Sequence, residues 1–312
     1  MELQNTFNFS YCTDPKFKLN VLKKKTDEPC DVCLLNEWKP ARYGEFIVKK
    51  CKSIETLRCH YFCLLSGTCI PQRGTNTAGI VGFLLRDIVD SFHEFRDKKC
   101  VYCRHRSAPI KCCANGCDRW FHYICGYKNS CLTQFSGPHE SFCDQHLPEE
   151  YNKPPPMGYI ECEICYDILP RPTDANYNPV SIVPTCGVDD CKPGRMHREC
   201  IQRFAFSAGY DFKCPYCFSK DYRNYVTTRG IFVPSRDASW ERQPGAFKDL
   251  HKRKCTAVDC PLSSANDATK VTNMVGCRVC GGELMHKACT KLADPSEYLC
   301  LACMDETFIK LL

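Results

Sequence analysis

Pairs of cysteine, or of histidine and cysteine, recur along this chain with two or four residues between the partners, from Cys30 and Cys33 to Cys300 and Cys303. No other feature limits the fold so strongly. Of 312 residues, 29 are cysteine, a density that means disulfides in a short secreted protein and metal sites in a reducing compartment. The opening stretch MELQNTFNFSYCTDP holds no apolar run of signal-peptide length, so the chain is expected to start in the cytosol and its pairs to bind metal. No stretch approaches the roughly 18 apolar residues of a membrane span. A soluble protein without a membrane partner is expected.

The donors fall into sets. Cys30, Cys33, His60 and Cys63 make one complete set of four. A second series, Cys100, Cys103, Cys112, Cys117, His122, Cys125, Cys143 and His146, supplies eight donors and hence two sites. A third holds Cys162, Cys165, Cys186, Cys191, His197, Cys200, Cys214 and Cys217; a fourth holds Cys255, Cys260, Cys277, Cys280, His286, Cys289, Cys300 and Cys303. The 23 cysteines and five histidines are 28 donors, which divide into seven tetrahedral sites with none missing. At one position two choices stand: Cys112 is read as the ligand, with its neighbour Cys113 as the alternative. Cys12, Cys51, Cys59, Cys69, Cys113 and Cys131 are left over and read as small buried hydrophobes. His93, His105, His139 and His251 lie in no pair and read as surface or core residues.

Thiolate mixed with imidazole in fours, and no site made of cysteine alone, suits zinc better than iron–sulfur chemistry. Every set is full, so seven structural zinc ions are expected rather than a catalytic one. Modules this small bury little apolar surface, whereas structural zinc in finger peptides contributes about 10–16 kcal/mol at neutral pH. Metal, more than core, is expected to hold them. The metal also corrects the charge: 23 thiolates and the 14 positive charges of seven divalent ions turn the formal +6 into −3. Nucleic-acid binding therefore finds no support in overall basicity, and the clusters Lys23–Lys25 and Lys252–Lys254 read as solvated surface.

Glu149–Gly158, with three consecutive prolines, reads as a semi-rigid spacer. Residues 221–254 read as an ordered connector. Elsewhere short loops, hairpins and small helices predict small zinc-stabilised α+β modules.

The order of Cys30, Cys33, His60 and Cys63 followed by CVYC, CCANGC, WFHYIC and FCDQH resembles an extended PHD finger. With HYFCLL, PQRG, CLTQFSG and RDASWERQPGAF, residues 28–305 are similar to the PHD finger protein 7 and G2/M-phase-specific ubiquitin ligase family, which includes insect members such as pineapple eye. The resemblance implies an extended PHD finger over 28–148 (pre-PHD zinc knuckle 28–70, PHD 98–148), a Pro-rich linker over 149–158 and a RING-like finger over 159–220. A connector over 221–254 and a C-terminal PHD-like finger over 255–305 follow. It also implies cross-braced ligands, with Cys100, Cys103, His122 and Cys125 on one ion and Cys112, Cys117, Cys143 and His146 on the next. The large HECT domain that ends the G2/M-phase relative is not met before DETFIKLL. No catalytic cysteine of that type is expected.

A RING finger acts by docking a ubiquitin-charged conjugating enzyme and favouring the reactive arrangement of its thioester. The three docking positions of RING ligases correspond here to Ile164 in CEIC, Phe204 in CIQRF and Pro215 in CPYC. Two readings compete at Phe204, because Ile201, Phe204, Ala205 and Ala208 also form a helical core stripe. PHD fingers share the cross-brace and the ligand order, but Phe212 stands where they keep a tryptophan. Phe218 stands where many RING ligases carry a basic residue that clamps ubiquitin. Trp120, two residues before His122, occupies the place of a methyl-lysine-stacking tryptophan; Lys99 and Pro109 fill the other usual cage positions, so packing is its alternative role. Tyr298 reads as structural.

The resemblance thus implies a RING-type ubiquitin ligase whose partners are a conjugating enzyme and a histone tail or other nuclear protein. The rival is a non-enzymatic chromatin adaptor with a degenerate RING. A nuclear location is implied by the relatives, with HKRK as a weak import signal.

Overall fold

The computed structural model describes residues 27–50, 56–66, 70–75, 78–151, 160–175, 177–186, 191–241, 255–260, 273–278, 283–301 and 303–304. The chain divides into two units, Met1–Trp240 and Glu241–Leu312. Elements of the first are α1 (Pro40–Tyr43), β1 (Phe46–Lys50), β2 (Thr56–His60), α2 (Tyr61–Leu65), α3 (Leu85–Phe95), β3 (Ile110–Lys111), β4 (Trp120–Phe121) and α4 (Tyr123–Lys128). They continue with β5 (Leu132–Thr133), β6 (Ser141–Phe142), β7 (Ile182–Pro184), β8 (Arg195–His197), α5 (Arg198–Ala208) and α6 (Tyr222–Thr228). The second unit holds β9 (Met274–Val275) and β10 (Met285–His286). Among the described residues the strands form antiparallel pairs, β1 with β2, β3 with β4, β5 with β6, β7 with β8 and β9 with β10. Among the described residues no helix is long and apolar enough to cross a membrane.

Two local units repeat. In the pairs that begin at Cys30, Cys100, Cys162 and Cys214, the residue after the second cysteine turns its N–H back to the first cysteine's carbonyl, at 2.8, 2.9, 2.8 and 3.1 Å. That turn needs a left-handed residue, and Leu34, Arg104, Tyr166 and Phe218 take it with φ of 60, 65, 62 and 58°. Glycine would adopt it without a side-chain penalty. The second unit surrounds histidine. His60, His122, His197 and His286 end or directly follow a short strand, keep extended backbone (ψ 137, 147, 138 and 143°) and open a helical turn. One turn later Cys63, Cys125, Cys200 and Cys289 lie on the same side, as an i, i+3 spacing dictates.

The apolar residues do not form one core per finger. A single core runs from Cys30 to Cys143 and takes in Tyr43, Ile47, Phe62, Ile88, Phe121 and Ile124, so the first knuckle and the following PHD region share it. α3, amphipathic with Ile88, Ser91 and Phe95 buried, fills the interval between them. A second core, Cys162 to Val233, gathers Leu169, Val183, Met196, Ile201, Phe212, Tyr222 and Ile231. Tyr222, Val226 and Ile231 come from the segment read as connector; it completes this core. Residues 242–254, with the basic cluster Lys252–Lys254, lie outside the described residues, as do Lys23–Lys25.

α5 joins the two cores. Its Ile201, Ala205 and Ala208 face the second core, while Phe206, with Phe232, packs against the first. Arg198 is buried, donates to the Gly230 carbonyl at 3.0 Å and sets its guanidinium 4.5 Å from the Tyr127 ring centroid. Gln202 bonds both backbone groups of Phe232, at 2.7 and 2.9 Å. Arg42 of α1 pairs with Glu199 at 2.7 Å. Burial alone would raise the Glu199 carboxyl; bonds from Arg203 and Arg42 overcome that and hold it below its ordinary range. The helix stops at Gly209, φ +54°, where a Cβ would stand 2.1 Å from the Arg236 carbonyl oxygen. Of the stretch read as a spacer, Glu149–Tyr151 form a 3₁₀ turn and Tyr151 packs with Leu132 and Val180. Residues 152–159 lie outside the described residues. The modules on either side are packed together.

Candidate functional site

The knuckle and strand–His–helix units bring the predicted donors together from distant parts of the sequence. Five groups, each with its ligand atoms within 4.8 Å of one another, are Cys30, Cys33, His60, Cys63; Cys100, Cys103, His122, Cys125; Cys112, Cys117, Cys143, His146; Cys162, Cys165, His197, Cys200; and Cys186, Cys191, Cys214, Cys217. In the second unit Cys260 lies 3.4 Å from His286 Nδ1, Cys289 lies 3.7 Å from it, and the His286 N–H points to Cys255 Sγ at 3.5 Å. Cys277, Cys300 and Cys303 are buried together. Cys280 lies outside the described residues. The pairs alternate between groups, which is a cross-brace. One expectation is corrected: Cys186, Cys191, Cys214 and Cys217 form a site of cysteine alone. The strand–His–helix unit commits His197 to the neighbouring group, and four thiolates remain a normal zinc set.

Zinc fits these groups on spacing. A tetrahedron with Zn–S of about 2.3 Å and Zn–N of about 2.0 Å has edges of about 3.5–3.8 Å. The observed thiol-to-Nδ1 distances are 3.6 and 3.8 Å at His60, 3.3 and 3.7 Å at His122, 3.7 and 3.3 Å at His146, and 3.4 and 3.9 Å at His197. The opposite ring nitrogens agree: His60 Nε2 donates to the Glu37 carbonyl at 2.7 Å and His122 Nε2 to the Arg106 carbonyl at 3.0 Å, leaving Nδ1 to the metal. Charge gives the same answer. The Cys100 thiol is held at about 2, chiefly by the hydrogen bond from Cys125 and against the effect of burial. Cys125 is pushed far up, first by its bond to Cys100 and then by burial. Such a group accommodates one thiolate readily, and ionising the others calls for a dication among them. None of the five four-donor groups leaves an open coordination position, so their ions would act as struts.

The structure turns Cys112 into its group and leaves Cys113 exposed, its Sγ accepting the Ser141 N–H at 3.4 Å. Cys59 and Cys131 are buried; Cys12, Cys51 and Cys69 lie outside the described residues.

The RING-like region carries a second kind of surface. Ile164 is 37% exposed, and Tyr166 and Phe218, the left-handed residues that close the two knuckles, are 73% and 62% exposed. Ile168 is exposed beside them in sequence. Pro215 and Phe204 are half-buried. Phe204 meets Phe212 at 5.4 Å between ring centroids, so it packs on the core and still retains an exposed edge. The knuckles lie side by side, because the Tyr216 hydroxyl of one donates to the Glu163 carboxylate of the other. Phe218 is not alone: Lys213 Nζ stands 5.1 Å from its ring centroid. Trp120 is half-buried in β4, opposite Lys111, and Lys98 Nζ lies 5.1 Å from its ring centroid. One face of the ring thus carries a cation from the chain itself. Sequence reasoning did not foresee Lys98 in this role, since only aromatic partners were sought. Tyr298, expected to be structural, is buried with Cys277, Cys300 and Cys303.

Comparison with known proteins adds lineage to geometry. Residues 60–147 match the PHD-like zinc-binding domain family. The pineapple eye protein of Drosophila melanogaster is 30% identical over 291 residues, which cover 88% of this chain and 47% of that protein. G2/M phase-specific E3 ubiquitin-protein ligases of Macaca fascicularis and Homo sapiens are 33% and 32% identical over 286 residues, 88% of this chain and 38% of each ligase. The chain is a homologue of these proteins. It spans less than half the length of each.

Proposed function

We propose that the chain is a ubiquitin-protein ligase of the RING type, held together by seven structural zinc ions. Its RING-like region docks a ubiquitin-charged conjugating enzyme through Ile164, Phe204 and Pro215, and the PHD regions engage a nuclear or chromatin protein as substrate. One observation carries the reading: in the two knuckles that the Glu163–Tyr216 bond holds side by side, Ile164 and Tyr166 of one and Phe218 of the other remain exposed. Large apolar side chains left exposed together mark a protein-binding surface. The relatives named as E3 ubiquitin-protein ligases support the same class.

The chemistry asked of this chain is positional. Aligning a thioester for attack needs no catalytic side chain from the ligase, only a rigid platform. Mixing the zinc-loaded chain with a panel of ubiquitin-loaded conjugating enzymes is expected to accelerate ubiquitin discharge with at least one of them. Ile164→Ala and Pro215→Ala should each lower that acceleration about tenfold, as loss of a central interface side chain does. No acceleration with any enzyme would instead favour the adaptor reading, which Phe218 in place of a basic residue supports. Methyl-lysine binding at Trp120 stands outside this proposal; Lys98 already lies over one face of the ring.

A further inference from the structure

Glu163 sits inside the first CxxC knuckle of the RING-like region, next to Ile164, and three separate features converge on it. The Tyr216 hydroxyl, from the second knuckle and next to Pro215, donates to its carboxylate. Lys192 Nζ lies 3.7 Å from Glu163 Oε2 and 5.2 Å from the Tyr216 ring centroid, so one ammonium holds both partners. Gly194 leaves the space: a Cβ there would come within 2.8 Å of Glu163 Oε1 and 3.0 Å of its Cγ. The Glu163 N–H also bonds the Arg195 carbonyl at 3.1 Å, which fixes the knuckle to β8. None of these atoms is a metal donor. Zinc fixes each knuckle internally, but the two knuckles belong to different metal groups, and the Glu163–Tyr216 bond runs directly from one to the other.

We propose that Glu163 is a positioning residue: with Tyr216 and Lys192 it sets the spacing between the knuckle that carries Ile164 and the knuckle that carries Pro215, and so the shape of the docking surface. The inference rests on the docking reading given above. A hydrogen bond to a charged group in a half-buried setting is strong enough to matter there.

The test compares zinc-loaded full chains carrying Tyr216→Phe, Glu163→Ala, Glu163→Gln or Gly194→Ala. In Tyr216→Phe the backbone amide signals of Cys162–Cys165 should shift, although the substitution lies in the other knuckle. The concentration of ubiquitin-loaded conjugating enzyme giving half-maximal discharge should rise about tenfold in Tyr216→Phe, Glu163→Ala and Gly194→Ala, with the rate at saturation unchanged. Glu163→Gln keeps an acceptor and should stay within about threefold of wild type. Bound zinc should be the same in all. Unshifted amides and unchanged discharge in Tyr216→Phe, a Glu163→Gln as impaired as Glu163→Ala, or loss of zinc from any variant would each overturn the proposal. A wild type that discharges with no enzyme sinks the docking role, while the amide comparison still decides whether the clamp exists.

Discussion

Stripping the metal with a strong chelator is expected to abolish the near-UV circular dichroism and the cooperative melting transition of the chain. The size of the effect follows from numbers of general validity: a structural zinc site contributes about 10–16 kcal/mol in finger peptides, as large as the whole margin of about 5–15 kcal/mol that separates folded from unfolded domains. Every described hairpin ends in or adjoins a donor, and the knuckle turns keep Leu34, Arg104, Tyr166 and Phe218 in left-handed backbone. Without a metal to hold both cysteines, these turns lose the interaction that offsets a strain of about 1 kcal/mol each. A chelated chain that keeps its melting curve would show that the pooled cores suffice alone.

Phe62→Ala is expected to cost about 3–5 kcal/mol, the usual range for removing a buried phenylalanine, and to loosen regions far from it in sequence. Phe62 is almost fully buried. Its ring lies 5.7 and 4.8 Å from Tyr123 and Phe135 of the PHD region, and 6.2 and 5.5 Å from Phe206 and Phe232 on the RING-like side. One side chain of the first knuckle therefore touches both neighbours. Hydrogen exchange should speed up in α5 as well as α2, while the number of bound zinc ions stays the same. Faster exchange confined to α2 would mean that the modules are stable independently and that their contact contributes little.

The metal groups were legible because each donor pair is local. A C-x2-C or H-x2-C spacing closes within one turn, so the sequence displays half of each site directly and only the partner half depends on the fold. The cross-brace was legible by resemblance, and it assigned Cys100, Cys103, His122 and Cys125 to one group as the structure does. What the spacing could not show is what the residues between the donors do. Short fingers read singly have too little apolar surface for a core. The structure answers that shortage by sharing: Phe206 and Phe232 leave their own module to pack on the first core, and Tyr222, Val226 and Ile231 come from a segment whose Pro and Gly punctuation reads as a connector. Arg198 and Gln202 look like ordinary solvent-facing helix residues, and their burial comes from partners far along the chain, Tyr127, Gly230 and Phe232. Glu163 was hidden for a similar reason. Its partners come from two other loops, Lys192 and Gly194 from the one before β8 and Tyr216 from the second knuckle, and no periodicity connects them.

Ion counting by native mass spectrometry tests the central claim most directly, because the seven ions proposed would add a definite mass. The intact chain should carry seven zinc ions under gentle conditions, and after acid release should show the mass of the fully reduced polypeptide. Fewer ions, or a mass lowered by two hydrogens for each linked cysteine pair, would contradict the account.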